Sequence, residues 1–150
     1  TLRDEYPHVL DVDTRPMRDH IELATRFIWK QLEDGRELKL KALPLRIAYH
    51  TPCHMEKMGW SLYTLDLLRL LPGVELVMLE SQCCGIAGTY GFKKENYQFS
   101  QSIGAPLFQQ VEESGVDLVV TDCETCKWQI EMSTSKKCEH PITLLARALA

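Results

Sequence analysis

The sequence predicts an α/β fold, a Rossmann-like parallel sheet of βαβ units with its cysteines at the C-terminal edge of the strands. Three observations predict it. The apolar runs LRIAY (45–49), VELVML (74–79) and VDLVVT (116–121) have the length of strands. Segments with helical spacing separate them, the alternation expected of a parallel sheet with right-handed crossovers. Each run ends just before a turn that carries cysteine: HTPCH, SQCCG and DCETC.

Along the chain, residues 1–14 are polar and hold little periodicity. From Arg15 to Glu33 the apolar positions Met17, Ile21, Ala24, Ile28 and Leu32 recur at helical spacing, with Thr14 as N-cap and Gly35 as stop. Residues 34–43 are a charged linker. Residues 1–43 therefore read as a helical N-terminal segment and linker, and 44–150 as a cysteine-rich domain. SLYTLDLLRLL (61–71) predicts an amphipathic helix capped by Ser61, ended by Pro72 and Gly73, and packed on the core by its apolar face. Residues 93–114 predict one helix or two, with Gly104 and Pro106 marking a kink or a fresh start and Gly115 closing the segment. A short helix is expected near Glu124, with that residue as its cap. PITLLARALA (141–150) predicts a last helix with Pro141 in its first turn.

A chain of 150 residues suits one domain with its own core, and 45 % hydrophobic with 25 % charged residues is ordinary globular composition. A net charge of -4 argues against nucleic acid as a partner, since such binders carry a basic face. No apolar run approaches the ~18 residues of a membrane span, and none reads as a signal peptide. The first residue is Thr1 rather than Met, so a piece of a longer chain is expected.

Six cysteines could form disulfides or bind metal. Disulfide frameworks belong mainly to small secreted domains that lack a core, which favours metal or redox chemistry here. Position decides further. Cys53, the pair Cys83 and Cys84, and the pair Cys123 and Cys126 each follow one predicted strand. In a parallel sheet those strand ends share one rim, where ligands of open α/β sheets bind. A structural zinc ion takes four ligands, so five thiols favour a multi-iron cluster. A zinc site with one spare cysteine stays open, as does a dithiol exchange reaction at Cys123 and Cys126. Consecutive cysteines point apart, which lets them reach different metal atoms. Gly85, Gly88 and Gly91 would let backbone N–H groups approach inorganic sulfide. His50 and His54 flank Pro52 and Cys53, and are expected to hydrogen-bond cluster sulfur rather than ligate. Cys138, in the lysine-rich STSKKCEH, lies off the strand pattern and reads as a bystander thiol. His140 reads as structural, His8 and His20 as exposed, and Trp60 and Trp128 as core or interface packing.

Cys53, then CCG at 83–85, then CETC at 123–126 resembles the cysteine-rich CCG domain. That domain occurs in heterodisulfide reductases, in glycolate- and lactate-oxidising systems, and in anaerobic glycerol-3-phosphate dehydrogenases. YHTPCH, CCGIAGTYGFKKENY, TDCETCKWQI and HPITLLA are most similar to the glycerol-3-phosphate group, over roughly residues 45–149. The resemblance implies a non-catalytic electron-transfer subunit that passes electrons from a flavoprotein dehydrogenase subunit towards membrane quinone. It implies a noncubane 4Fe–4S cluster on Cys53, Cys83, Cys84, Cys123 and Cys126, with zinc as the alternative metal. It also implies partner iron–sulfur segments and a cytoplasmic, peripheral position on the inner face of the membrane. The sequence has one CCG motif and no CxxCxxCxxxCP run, so the C-terminal part of such a subunit is expected.

Overall fold

The computed structural model describes residues 5–18 and 20–150, and of Arg18 the backbone alone. Four strands, β1 (Leu45–Tyr49), β2 (Val74–Met78), β3 (Leu118–Val120) and β4 (Cys138–Glu139), form one sheet in the order β2-β1-β3-β4. Every pairing is parallel, with Leu45 opposite Val74, Ile47 opposite Leu118, and Val119 opposite Cys138.

Successive strand residues face opposite sides of a sheet, and here they divide the core into two layers. Ala48 and Val119 pack against helix α6 (Tyr97–Glu113) and helix α7 (Glu124–Ser133), through Leu107, Phe108, Val111 and Ile130. Ile47, Tyr49, Leu118 and Val120 pack against α5 (Ser61–Arg69) and α8 (Pro141–Ala148), through Leu65, Leu68, Leu144 and Leu145. Ile28 of α3 (Ala24–Glu33) joins this second layer. The chain leaves β1 towards the α5 face and leaves β3 towards the α7 face. Adjacent strands whose loops part in this way open a crevice at their carboxyl ends.

Three predicted strands are present, each within a residue or two of its expected span. The long helix expected over 15–33 is not. After the short helix α1 (Tyr6–Val9), two separate pieces stand there, α2 (Arg15–Arg18) and α3, with Asp19 outside the described residues. Leu23 takes an extended conformation at the N-cap position of α3. Just ahead of it the Glu22 carboxylate pairs with Arg26 at 3.3 Å and Lys30 at 2.6 Å. An acidic group before a helix start complements the positive end of the dipole and favours initiation there.

Residues 93–114, which follow a 3₁₀ turn at Tyr90–Phe92, resolve into a second such turn, Lys94–Asn96, and then α6 without a break through Gly104 and Pro106. Gly104 is there for close packing: a Cβ would stand 2.6 Å from the Cys84 carbonyl oxygen and against the Phe108 ring. Trp60 rather than Ser61 occupies the N-cap of α5, with no side-chain cap. Glu124 does not cap α7 either. Cys123 holds that position, and Glu124 pairs with Lys127 at 3.0 Å. Trp128 is exposed and leans on Phe92, ring centroids 6.0 Å apart.

Cys138 corrects the expectation of a thiol off the strand pattern. It lies buried on β4, whose ladder to β3 includes Val119 N–H donating to the Lys137 carbonyl at 2.9 Å. The strand is two residues long and follows two lysines, a short charged edge that discourages further pairing.

Candidate functional site

Each of the first three strands hands one cysteine-bearing turn to the crevice. After β1 the ladder continues for one residue, His50 N–H donating to the Val120 carbonyl at 2.9 Å. Strand alternation then puts the His50 ring on the Ala48 face, where it is only 3 % exposed. Pro52 caps the short helix α4 (Cys53–Met58), in which Met55 is fully buried and Cys53 is exposed.

After β2 the chain runs through Cys83, exposed, and Cys84, 4 % exposed. Gly85 has φ +86° and donates its N–H to Cys83 Sγ at 3.3 Å. A Cβ at Gly85 would strike the Ser100 carbonyl of α6, so this glycine seats the loop on the helix. The Ser100 hydroxyl donates to the Gly85 carbonyl at 2.9 Å and accepts from Gln129 Nε2 at 2.9 Å. All three groups belong to a buried chain that ties the CCG loop to α6 and α7. Ala87, at φ 47°, and Gly88, at φ 68°, complete the turn in left-handed backbone. Ser81 reaches the other way, donating to Glu56 of α4 at 2.9 Å.

After β3, Asp122 accepts from the Tyr49 hydroxyl at 2.6 Å and from Thr64 Oγ1 at 2.9 Å. Burial first, then the Asp122 carboxylate, hold the Tyr49 phenol well above its ordinary range, so it donates as a neutral hydroxyl. This clamp fixes the backbone just before Cys123. Cys126, in the first turn of α7, is 5 % exposed.

The cleft so formed encloses about 120 Å³. Cys53, Cys83, Cys84, Cys123 and Cys126 all line it, with His50, His54, Gly88 and Thr125. Gly85 lies behind the wall, and Cys138 is absent from it. All six cysteines are free thiols. Cys84 Sγ and Cys126 Sγ are 3.2 Å apart, and Cys123 Sγ is 3.2 Å from Thr125 Oγ1.

The electrostatics favour thiolate at two of these positions. A hydrogen bond with Cys126 draws the Cys84 thiol down to about 5, with a further contribution from His50. A hydrogen bond with Cys126, then Thr125 and the N–H groups opening α7, draw Cys123 down to about 4. Cys126, between two such neighbours, is pushed upward and keeps its proton. A set of soft anionic donors in a lined cleft is suited to thiophilic metal, because the thiolate is the ligand.

Sequence reasoning missed the supports of this site. Asp122 stands beside Cys123, and Thr125 lies inside the CxxC, so adjacency alone could have flagged them. Ser100 and Gln129 carry no local signal, since their partners are distant in sequence.

The family described as the CCG cysteine-rich domain matches residues 47–131. Over 149 residues, 99 % of this chain, the sequence is 76 % identical to a subunit of the anaerobic glycerol-3-phosphate dehydrogenase of Escherichia coli (strain K12), covering 38 % of that protein. It is 34 % identical to lactate utilization protein A of Geobacillus thermodenitrificans, over 79 % of this chain and 52 % of that protein. It is 30 % identical to a subunit of the fumarate reductase (CoM/CoB) of Methanothermobacter marburgensis, over 91 % of this chain and 26 % of that protein. The chain thus spans well under two thirds of the length of these relatives. With the match covering the three cysteine-bearing turns and the strands that present them, the chain belongs to the cysteine-rich CCG domain family.

Proposed function

We propose that the chain is part of an iron–sulfur electron-transfer subunit, carrying electrons from a flavoprotein glycerol-3-phosphate dehydrogenase towards membrane quinone under anaerobic conditions. The convergence of five cysteines on one cleft carries this reading. One tetrahedral ion would leave a thiol over, whereas a cluster with several metal atoms uses all five. The 76 % identity to a glycerol-3-phosphate dehydrogenase subunit supports the choice of donor system.

On this reading Cys53, Cys83, Cys84, Cys123 and Cys126 are the ligands, of a noncubane 4Fe–4S cluster. A bound cluster supplies acceptance and release of single electrons. The protein's part is to hold and tune it. Three separate turns fix the sulfurs, so no single loop motion frees the set. Thr125 Oγ1 and the Gly85 N–H group hydrogen-bond cysteine sulfur, and such donors raise a cluster's potential. His50 and His54 stand in the wall beside them, and Ile86 and Ala87 add apolar lining.

No helix of the described residues is long and apolar enough to cross a membrane. A peripheral position on the inner membrane face, held by partner subunits, is therefore part of the proposal. The test is anaerobic purification or reconstitution, with iron and acid-labile sulfide counted and EPR recorded. Several irons and sulfides per chain, reduced by the flavoprotein subunit with glycerol 3-phosphate, are expected. A colourless protein with stoichiometric zinc would overturn it.

A further inference from the structure

The Cys84 sulfur receives a hydrogen bond from its own loop, donated by the Ile86 N–H. That N–H shares one peptide unit with the Gly85 carbonyl, which accepts from the Ser100 hydroxyl at 2.9 Å. The Ser100 hydroxyl accepts in turn from Gln129 Nε2 at 2.9 Å. Neither Ser100 nor Gln129 lines the cleft. We infer that these two are positioning residues that act on the cleft from behind its wall. Their relay, from Gln129 through Ser100 and the Gly85–Ile86 peptide to the Cys84 sulfur, sets the reduction potential of a cluster held by the five cysteines. The redox consequence rests on the iron–sulfur reading; the relay itself does not.

Every link points the same way. Resonance couples the carbonyl and the N–H of one peptide unit, so a proton donated to the Gly85 oxygen makes the Ile86 N–H a stronger donor. Hydrogen bonds in series polarise one another, by about 10–30 % per bond where water is excluded. Water is excluded here: Ser100 is fully buried, Gln129 is 2 % exposed, and Gly85 and Ile86 are buried between them and Cys84. Donors to cysteine sulfur favour the reduced state of an iron–sulfur cluster, because they offset its added negative charge. No atom or proton moves along the relay; it transmits polarity alone.

Two glycines make room for it. A Cβ at Gly85 would meet the Ser100 carbonyl, and a Cβ at Gly91 would stand 2.5 Å from Ser100 Oγ. The Gly91 N–H donates to the Ile86 carbonyl at 2.8 Å, which holds Ile86 from its other side. Gln129 lies on α7 three residues after Cys126, so the helix that carries one cysteine of the cleft also supports another. A role in fixing the loop alone would change stability and leave the Ile86 N–H and the potential where they are.

The first test uses the reduced, metal-free chain, with the Ile86 amide followed by NMR and the Val119 amide of the β3–β4 ladder as control. Ser100→Ala should move the Ile86 proton upfield and speed its exchange about fivefold, with Gln129→Leu moving it the same way by less. The second test reconstitutes the same chains anaerobically with iron and sulfide and follows an EPR-monitored redox titration. Ser100→Ala should lower the potential by about threefold in the one-electron equilibrium, or about 28 mV, with Gln129→Leu between it and the native chain. Gln129→Leu leaves the Ser100 bond to Gly85 in place, so it carries both tests if Ser100→Ala does not fold. An unmoved Ile86 amide in a folded variant would overturn the relay. A native potential at native iron content in both variants would overturn its redox role. A native chain that takes up zinc without sulfide would overturn the iron–sulfur reading and the redox role with it, while the Ile86 amide would still decide the relay.

Discussion

The sulfurs of Cys84 and Cys126 lie 3.2 Å apart although 42 residues of chain separate them. No disulfide joins them. Their closeness is produced by the sheet, which brings the β2 and β3 turns to the same edge, and by the packing of α6 against α7.

The first prediction concerns the clamp behind Cys123. Asp122→Ala leaves the buried Tyr49 and Thr64 hydroxyls without their charged acceptor. Loss of such a group costs about 2–3 kcal/mol. Urea unfolding of the metal-free chain should register that loss, while Asp122→Asn, which keeps an acceptor oxygen, should recover part of it. A change under about 0.5 kcal/mol for the alanine would remove Asp122 from the account.

Two glycines in one turn should behave differently. Gly85→Ala forces a Cβ into the Ser100 carbonyl at φ +86°, whereas Gly88 has open space around it at φ +68°. Left-handed backbone alone costs an alanine about 1–2 kcal/mol, and overpacking adds about 1–3 kcal/mol. Gly85→Ala should therefore destabilise by about 2–5 kcal/mol and Gly88→Ala by about 1–2 kcal/mol. Equal midpoints in denaturant would contradict the packing assigned to Gly85.

Thiol reactivity gives a pH-dependent check on the metal-free chain. Cys123, drawn down to about 4, is thiolate throughout the range from about pH 6 to 8. An ordinary thiol at pH 6 is only about 0.3 % thiolate. Cys138 goes the other way: burial, then the Glu131 carboxylate, push it up to about 12. Iodoacetamide at about pH 6 should label Cys123 and leave Cys138 untouched until the chain is unfolded, as peptide mass mapping would show. Labelling of Cys138 in the folded chain at that pH would contradict its place in the core.

Cys138→Ala and Cys138→Ser separate packing from chemistry at that position. The alanine should cost about 1 kcal/mol of buried sulfur, and the serine more, because its hydroxyl is buried among apolar neighbours. Metal content should be unchanged in both.

Much of this arrangement can be read from the chain because it depends on local patterns. Strand runs such as LRIAY are short and bounded by Pro44 and Pro52, so β1 stands at its expected residues. The placement of five cysteines after three such runs follows from parallel topology alone. What sequence reasoning misses depends on distant partners. β4 is a two-residue edge that exists only because β3 offers a ladder to pair with. The break before α3 comes with the ion pairs of Glu22, not with any helix-breaking residue. Gly104 and Pro106 look like a kink or a fresh start, but tight packing of Gly104 on the CCG loop accompanies a continuous α6. His50 looks peripheral to the cysteines in the sequence because its burial against Cys84 and Cys126 arises from strand alternation and the β2 loop together.

The most direct test of the five-sulfur site is iron content in single cysteine variants after identical anaerobic reconstitution. Cys53→Ser, Cys83→Ser, Cys84→Ser, Cys123→Ser and Cys126→Ser should each lose iron and sulfide, while Cys138→Ala retains the native amount. A native complement of iron in any one of the five serine variants, or bound zinc with no sulfide in the native chain, would contradict it.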